Sequence, residues 1–241
     1  MVRLKRAPTV ALFLDFDGTL APIRLRPEMV RLSSPARSLL GRLAGHPRVT
    51  VFLVSGRPLR DLRSRARISN AHYMGLHGWE RDNGKQLTPA AAKDLLRVKK
   101  GFREGLADLP GVWIEDKGSS FAVHYRSATE TVARRARRLL NQAFKPFGST
   151  LRVLSGKKIR EVLPREVEGK GAAVHRVLSE FPRDALAIYV GDDITDESAF
   201  AVLPRGITIC VGTRRATRAR YRVRDPEEVR EFLQRLEDEL A

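Results

Sequence analysis

Two carboxylates, Asp15 and Asp17, stand at the end of the apolar run Val10-Ala-Leu-Phe-Leu14. A carboxylate can attack an electrophile, move a proton or hold a metal. Two of them two residues apart project to the same side of an extended chain. Gly18 follows where the backbone must turn, and a glycine there lets main-chain N–H groups approach an anion. Alone, the stretch also reads as a strand ending in an Asp-Gly turn with solvated acids. A second burst of acids favours chemistry: Gly191-Asp192-Asp193-Ile-Thr195-Asp196-Glu197 closes the apolar run Ala185 to Val190. Two acidic strand ends facing each other make a hard oxygen-ligand site suited to Mg²⁺. Ser55-Gly56-Arg57 ends a third apolar run, Val49 to Val54. Its hydroxyl can hold a phosphate oxygen, cap a helix near Pro58 to Arg65, or do both. Lys170 opens a helical segment, where a cation beside a helix N-terminus is placed to hold an anion.

The elements that must position these groups follow from patterning. Continuous apolar runs suit strands covered on both faces, as in a parallel sheet, and ligands of such sheets bind beyond the strands' carboxyl ends. Between Asp15 and Ser55, Ser34-Pro35 reads as a helix start, with Ser as N-cap and Gly45 as the C-terminal cap. Strand, helix, strand makes a βαβ unit and brings Ser55 to the sheet edge of Asp15. Tyr73 to Glu80 reads as a third strand followed by a turn near Asp82-Asn83-Gly84, and His77 within it is a secondary site residue. From Thr88 the texture changes. A helix with Leu95, Leu96, Phe102 and Leu106 gives way to a hairpin around Gly118. A helix over Thr129 to Phe144 and a hairpin around Gly156 then follow. This α+β unit carries a second polar set: Glu115, Lys117, Arg126, Lys158 and Glu161. The α/β pattern resumes at Lys170-Gly171 with a helix through Leu178, strands at 185–190 and 207–211, and a last helix from Asp225-Pro226. The expected fold is α/β: a doubly wound parallel-sheet core at 1–88 and 167–241, with an α+β cap domain inserted at 89–166.

Composition bounds the function. The 241 residues are 42% hydrophobic, and no apolar run approaches the ~20 residues that span a bilayer. The basic Met1 to Arg6 is followed by an apolar stretch too short and too soon acidic for a signal peptide. One cysteine, Cys210, excludes an internal disulfide framework and fits a reducing cytoplasm, and its apolar surroundings read as a buried thiol. The formal charge of +17 comes partly from arginine clusters at 57–67, 134–138 and 214–224. Such a balance steers anions, but no stacking motif or zinc-finger spacing makes it a nucleic-acid module. The expected partner is a small anionic molecule, with no nucleic acid and no membrane.

Asp-Phe-Asp-Gly-Thr-Leu, Ser-Gly-Arg, Lys-Gly and Gly-Asp-Asp, in this order, resemble the four motifs of the haloacid-dehalogenase-like (HAD) phosphatases. Within them, residues 15–23, 75–80, 124–126, 161–164 and 191–197 are similar to the trehalose-6-phosphate phosphatases. Gly169 and Leu163 depart from that pattern, which usually has Asn and Arg there. The resemblance implies a phosphatase acting on trehalose 6-phosphate, or on a related ester such as sucrose 6-phosphate. It implies Asp15 as nucleophile and Asp17 as general acid and base. Ser55, Gly56 and Lys170 would hold phosphate, and Asp15, the Asp17 carbonyl and Asp192 would hold Mg²⁺. Asp193 would orient Lys170 or the metal ligands, and Asp196 would cap the next helix or tie the site to the inserted unit. Glu115 with Lys117, and Lys158 with Glu161, match sugar-binding positions, with Arg126 and His77 beside them. The inserted unit is expected to be a mobile cap closing over the sugar. The chain is expected to act as a monomer, with association with a trehalose-phosphate synthase left open.

Overall fold

The computed structural model describes residues 7–24, 26–81, 87–156, 158–213 and 216–240. In chain order its elements are β1 (Val10–Asp15), α1 (Ser34–Gly45), β2 (Val49–Val54), α2 (Leu59–Ala66), β3 (His72–Met74), α3 (Pro89–Glu104), β4 (Trp113–Asp116) and β5 (Phe121–His124). They continue with α4 (Glu130–Phe144), β6 (Leu151–Gly156), β7 (Ile159–Pro164), α5 (Lys170–Leu178), β8 (Leu186–Gly191), α6 (Glu197–Ala201), β9 (Ile207–Val211), β10 (Tyr221–Val223) and α7 (Pro226–Asp238). They form two compact units, Met1–Gly84 with Glu168–Ala241, and Lys85–Val167.

The first unit is built on a six-stranded sheet, β10-β9-β8-β1-β2-β3, whose paired strands are all parallel. Its central strand explains the opening apolar run. Val10, Leu12 and Leu14 enter one core with Leu40, Leu43, Leu62 and Leu233, while Ala11 and Phe13 enter another with Phe52, Val174, Tyr189 and Phe200. A strand buried on both faces cannot alternate with polar residues. Phe13 stacks on Phe52 at 4.8 Å between ring centroids, and each such side chain contributes roughly 1.5–3 kcal/mol on burial. Cys210 lies buried in β9, as its neighbours foretold.

The second unit is an antiparallel sheet, β4-β5-β7-β6, with one face packed by the helices. Phe121, Val123 and Val162 meet Leu95, Phe102, Ala136 and Leu140 there.

Several expectations shift. The cap of α1 is Ser33, whose hydroxyl accepts from Ala36 N at 3.4 Å, so Ser34 is already helical. Two adjacent serines before a proline leave that register open to sequence reading. Gly45 is the last helical residue and His46 takes the C-cap position. Leu96 is 59% exposed and outside the apolar stripe of α3. The third strand stops at Met74, and Leu76–Gly78 is instead a 3₁₀ turn. The turn read at 82–84 lies outside the described residues. β10 escaped the sequence reading because Tyr-Arg-Val at an exposed sheet edge is short and lacks an apolar run. Among the described residues, no helix is long and apolar enough to cross a membrane.

Candidate active site

The register of the parallel sheet decides which residues meet. Asp15 pairs with Val54 of β2 and Leu14 with Val190 of β8. Ser55 therefore emerges one residue beyond Asp15 on one side, and Gly191-Asp192 on the other. Lys170, the first residue of α5, is buried and fills the gap. Its ammonium donates to Asp15 Oδ1 and to Asp196 Oδ1, each at 2.7 Å. The preceding Gly169 has φ 101° and ψ 175°, a backbone region essentially reserved for glycine. That geometry accounts for the glycine at this position.

Asp196, fully buried, is the hub of this arrangement. Its Oδ1 also accepts from the Tyr189 hydroxyl at 2.6 Å, and its Oδ2 from Asp193 N at 2.9 Å. The contact with Lys170 expected of Asp193 is made by Asp196, while Asp193 and Asp196 cap each other across the turn. The 3₁₀ turn Ile194–Asp196 brings its last residue, not the Asp193 that precedes it, back to Lys170. A Cβ on Gly191 would lie 2.3 Å from Asp196 Cγ, so only glycine admits the carboxylate so close to the strand. Asp192 is set against the turn after β1. Thr19 Oγ1 reaches its Oδ1 at 3.5 Å, and a Cβ on Gly18 would collide with its Oδ2 at 2.2 Å. Carboxylate oxygens of Asp15, Asp192 and Asp196 lie within 4.8 Å of one another.

Three acids share one lysine, and the charge is unbalanced. Burial raises the Asp15 carboxyl well above its usual range; Lys170 opposes that rise and Asp196 and Asp192 add to it. Asp192 is pushed up to about 7 by burial and then by Asp196, against the pull of Lys170. Burial would lower the Lys170 ammonium, but attraction to Asp15 and Asp196 wins and raises it. An all-oxygen cluster with excess negative charge fits a hard divalent cation such as Mg²⁺, with no Cys or His in it to favour zinc.

Asp17 has a partner of its own. The strand ends at Asp15, and a tight turn follows, with Gly18 N donating to Ala21 O at 2.7 Å and Ala21 N to Phe16 O at 3.0 Å. From this turn the Asp17 carboxylate is gripped by Arg57, Nε to Oδ2 at 2.7 Å and Nη2 to Oδ1 at 2.5 Å. Ser55, buried, accepts from Arg57 N at 3.1 Å. The first amide of α2, Leu59 N, is capped by Glu80 Oε2 at 2.6 Å instead. His77, at φ 59°, is buried against Gly56; a Cβ there would come 2.8 Å from His77 Cε1. Its amide donates to Ser55 O at 2.8 Å. His77 is thus grouped with Ser55 and Gly56.

In the second unit, strand alternation places Glu115 and Glu161 on the sheet face opposite the helices, and Lys117, one residue past β4, joins Glu161. Lys117 Nζ lies 3.1 Å from Glu161 Oε1, which also accepts from Ser120 Oγ at 2.7 Å. Glu115 Oε2 meets His124 Nε2 at 2.8 Å, and the His124 ring stacks on Trp113 at 4.0 Å. Lys158 is not part of this group: at φ 64° in the β6–β7 turn, it pairs with Glu130 of α4 at 3.2 Å. Arg126 is exposed in the turn after β5. The sequence reading missed Arg57, Tyr189, Ser120 and Trp113 as contributors. Arg57 alone carried a signal, as the third residue of Ser-Gly-Arg.

The profile of the trehalose-phosphatase family matches residues 13–227, which include every acid of the cluster. The chain belongs to the trehalose-phosphatase family. A trehalose-phosphate phosphatase of Mycobacterium ulcerans is 33% identical over 249 residues, covering 97% of this chain and 63% of that protein. The chain therefore spans less than two thirds of that relative's length. The C-terminal domain of the C. albicans trehalose-6-phosphate phosphatase superposes with a TM-score of 0.84 at 24% identity, covering 98% of this chain and 94% of that one. A haloacid dehalogenase-like hydrolase from Bacteroides thetaiotaomicron shares the fold, with a TM-score of 0.68 at 15% identity over 95% of this chain and 99% of its own. The HAD-like α/β fold expected from the four motifs is the observed one.

Proposed function

We propose that this member of the trehalose-phosphatase family is a Mg²⁺-dependent phosphatase that hydrolyses trehalose 6-phosphate to trehalose and phosphate, the last step of trehalose biosynthesis. The observation that carries this reading is the buried Asp15–Lys170–Asp196 triad, with Asp192 completing an acidic cluster in a chain matched by the family profile. A phosphomonoester repels a carboxylate, so its oxygens must be neutralised first. Lys170, Ser55 and the Gly56 backbone hold phosphate oxygens. Asp15, Asp192 and the Asp17 carbonyl hold Mg²⁺, which when bound offsets charge on the phosphoryl group. Asp15 Oδ attacks phosphorus as the bond to the sugar oxygen breaks, leaving an aspartyl phosphate. Asp17, with one carboxyl oxygen protonated and the other still held by Arg57, gives that proton to the departing oxygen, then takes one from the water that releases phosphate and regenerates Asp15. Asp196 keeps Lys170 beside the nucleophile, and Asp193 secures the turn that carries Asp196. Sugar recognition is assigned to Glu115, Lys117 and Glu161, paired donors and acceptors of the kind that discriminate hydroxyls. We read the protein as a cytoplasmic monomer acting on a diffusing substrate. A panel of trehalose 6-phosphate, sucrose 6-phosphate, glucose 6-phosphate and p-nitrophenyl phosphate, each with Mg²⁺, tests the reading. The highest kcat/KM belongs to trehalose 6-phosphate; preference for sucrose 6-phosphate would reassign the substrate within the same reaction.

The metal assignment has a readout independent of turnover. The Asp192 carboxyl is pushed up to about 7, above its unfolded value. The stability this adds is full below the unfolded carboxylate range and is lost as pH rises through about 7. Mg²⁺ binds only the deprotonated site, so protons compete with it. The rise in Tm on adding Mg²⁺ should therefore be larger at pH 8 than at pH 6, with the apparent affinity ~10-fold weaker at the lower pH. Thermal unfolding at both pH values measures this, and an equal shift at each would count against Asp192 as a ligand.

A further inference from the structure

We propose that Asp61 is a positioning residue of the reaction, acting through Arg57 on Asp17; this rests on the phosphatase reading. Arg57, Asp61 and Arg65 recur every four residues and fall on one face of α2 and its leading turn. Arg57 and Arg65 are both buried, at 5% and 7% exposure, and a buried guanidinium persists only with its donors satisfied. Arg57 spends two donors on Asp17 and aims Nη1 at Asp61 Oδ2 at 2.7 Å. Its Nη2 also reaches Pro27 O at 3.0 Å, and the guanidinium lies 5.8 Å from the Phe16 ring centroid. The same Asp61 oxygen accepts from Arg65 Nε at 2.7 Å. Arg65 Nη1 is anchored on Glu28 O at 2.8 Å and Val30 O at 3.0 Å.

The result is a ladder of alternating charge, Asp17–Arg57–Asp61–Arg65, tied at its far end to the backbone of residues 28–30. A planar guanidinium with three directions fixed has one orientation left. The face it offers Asp17 is then set by Asp61, which does not itself belong to the acidic cluster. Proton delivery to a leaving oxygen depends steeply on such placement. The ladder also accounts for an acidic residue at position 61 between two arginines, where a purely solvated helix face would leave their burial uncompensated.

The leaving group separates positioning from simple support of the fold. An alkyl oxygen such as that of a sugar needs a proton as it departs, whereas p-nitrophenolate leaves without one. The ratio kcat/KM reports the steps through aspartyl-phosphate formation, before water attack. Asp61→Asn should lower kcat/KM for trehalose 6-phosphate ~10-fold or more and for p-nitrophenyl phosphate less than ~3-fold. Arg57→Lys, which keeps the charge and loses the fork, should give the same asymmetry and serves if the first variant does not fold. Equal losses on the two esters, or no loss on either, would overturn the positioning role while leaving the phosphatase reading intact. Failure of the unaltered protein to cleave either ester with Mg²⁺ would overturn both.

Discussion

Asp15→Asn should reduce trehalose 6-phosphate hydrolysis by ~10⁴-fold or more, because an amide cannot form the acyl phosphate on which both half-reactions depend. Asp15 sits at the end of the central, fully buried strand, and Asn fills the same volume. Its carboxyl is already pushed up by burial, and a neutral amide still accepts from Lys170. The variant should fold, with a circular dichroism spectrum like that of the unaltered protein. It also removes one of the three mutually repelling acids clustered beside Lys170, so its metal-free form should melt no lower. A folded variant retaining a tenth of the activity would remove Asp15 from the role of nucleophile.

Glu161→Ala should cut kcat/KM on trehalose 6-phosphate by ~10²-fold, the scale at which loss of charge-assisted hydrogen bonds is felt. The buried Glu161 carboxylate accepts from Lys117 and Ser120. Its removal leaves the Lys117 ammonium without that partner and disperses the polar face. Lys117→Ala should behave alike, whereas Lys158→Ala, which breaks an exposed pair with Glu130, should cost less than ~3-fold. Loss on p-nitrophenyl phosphate should be much smaller for all three, since that ester presents no sugar hydroxyls. Parallel losses on both esters would show that Glu161 supports the fold of its unit rather than choosing the sugar.

Much of this was legible in the sequence because the core strands are continuous apolar runs whose ends carry acids. A doubly covered parallel strand leaves no other pattern, and the βαβ reading brought Ser55 to the sheet edge of Asp15, where the pairing of Asp15 with Val54 puts it. Less legible were features set by one-residue choices of backbone. Whether Asp193 or Asp196 returns to Lys170 depends on a single 3₁₀ turn, and Ser33 or Ser34 as cap depends on which φ leaves the helix. Asp17 looked like a twin of Asp15 because alternation was carried past the strand's last residue. The partner that holds it, Arg57, is 40 residues away in sequence. Its signal was hidden in the arginine cluster at 57–67, read only as a source of positive charge. Lys158 was paired with Glu161 on motif grounds, but its left-handed turn position sends the side chain to Glu130.

The central claim is that phosphate passes through Asp15, and trapping it there is the most direct measurement. Trehalose 6-phosphate and Mg²⁺ would be mixed with the unaltered protein and with Asp17→Asn, in which water activation is slowed. Both would be quenched in acid on the millisecond scale and mapped by peptide mass spectrometry. The account predicts one phosphoryl group on the peptide bearing Asp15, more in Asp17→Asn, and none with chelator or with Asp15→Asn. Phosphate release in the unaltered protein with no phosphoryl group found on Asp15 in either form, or with the group on another residue, would contradict it.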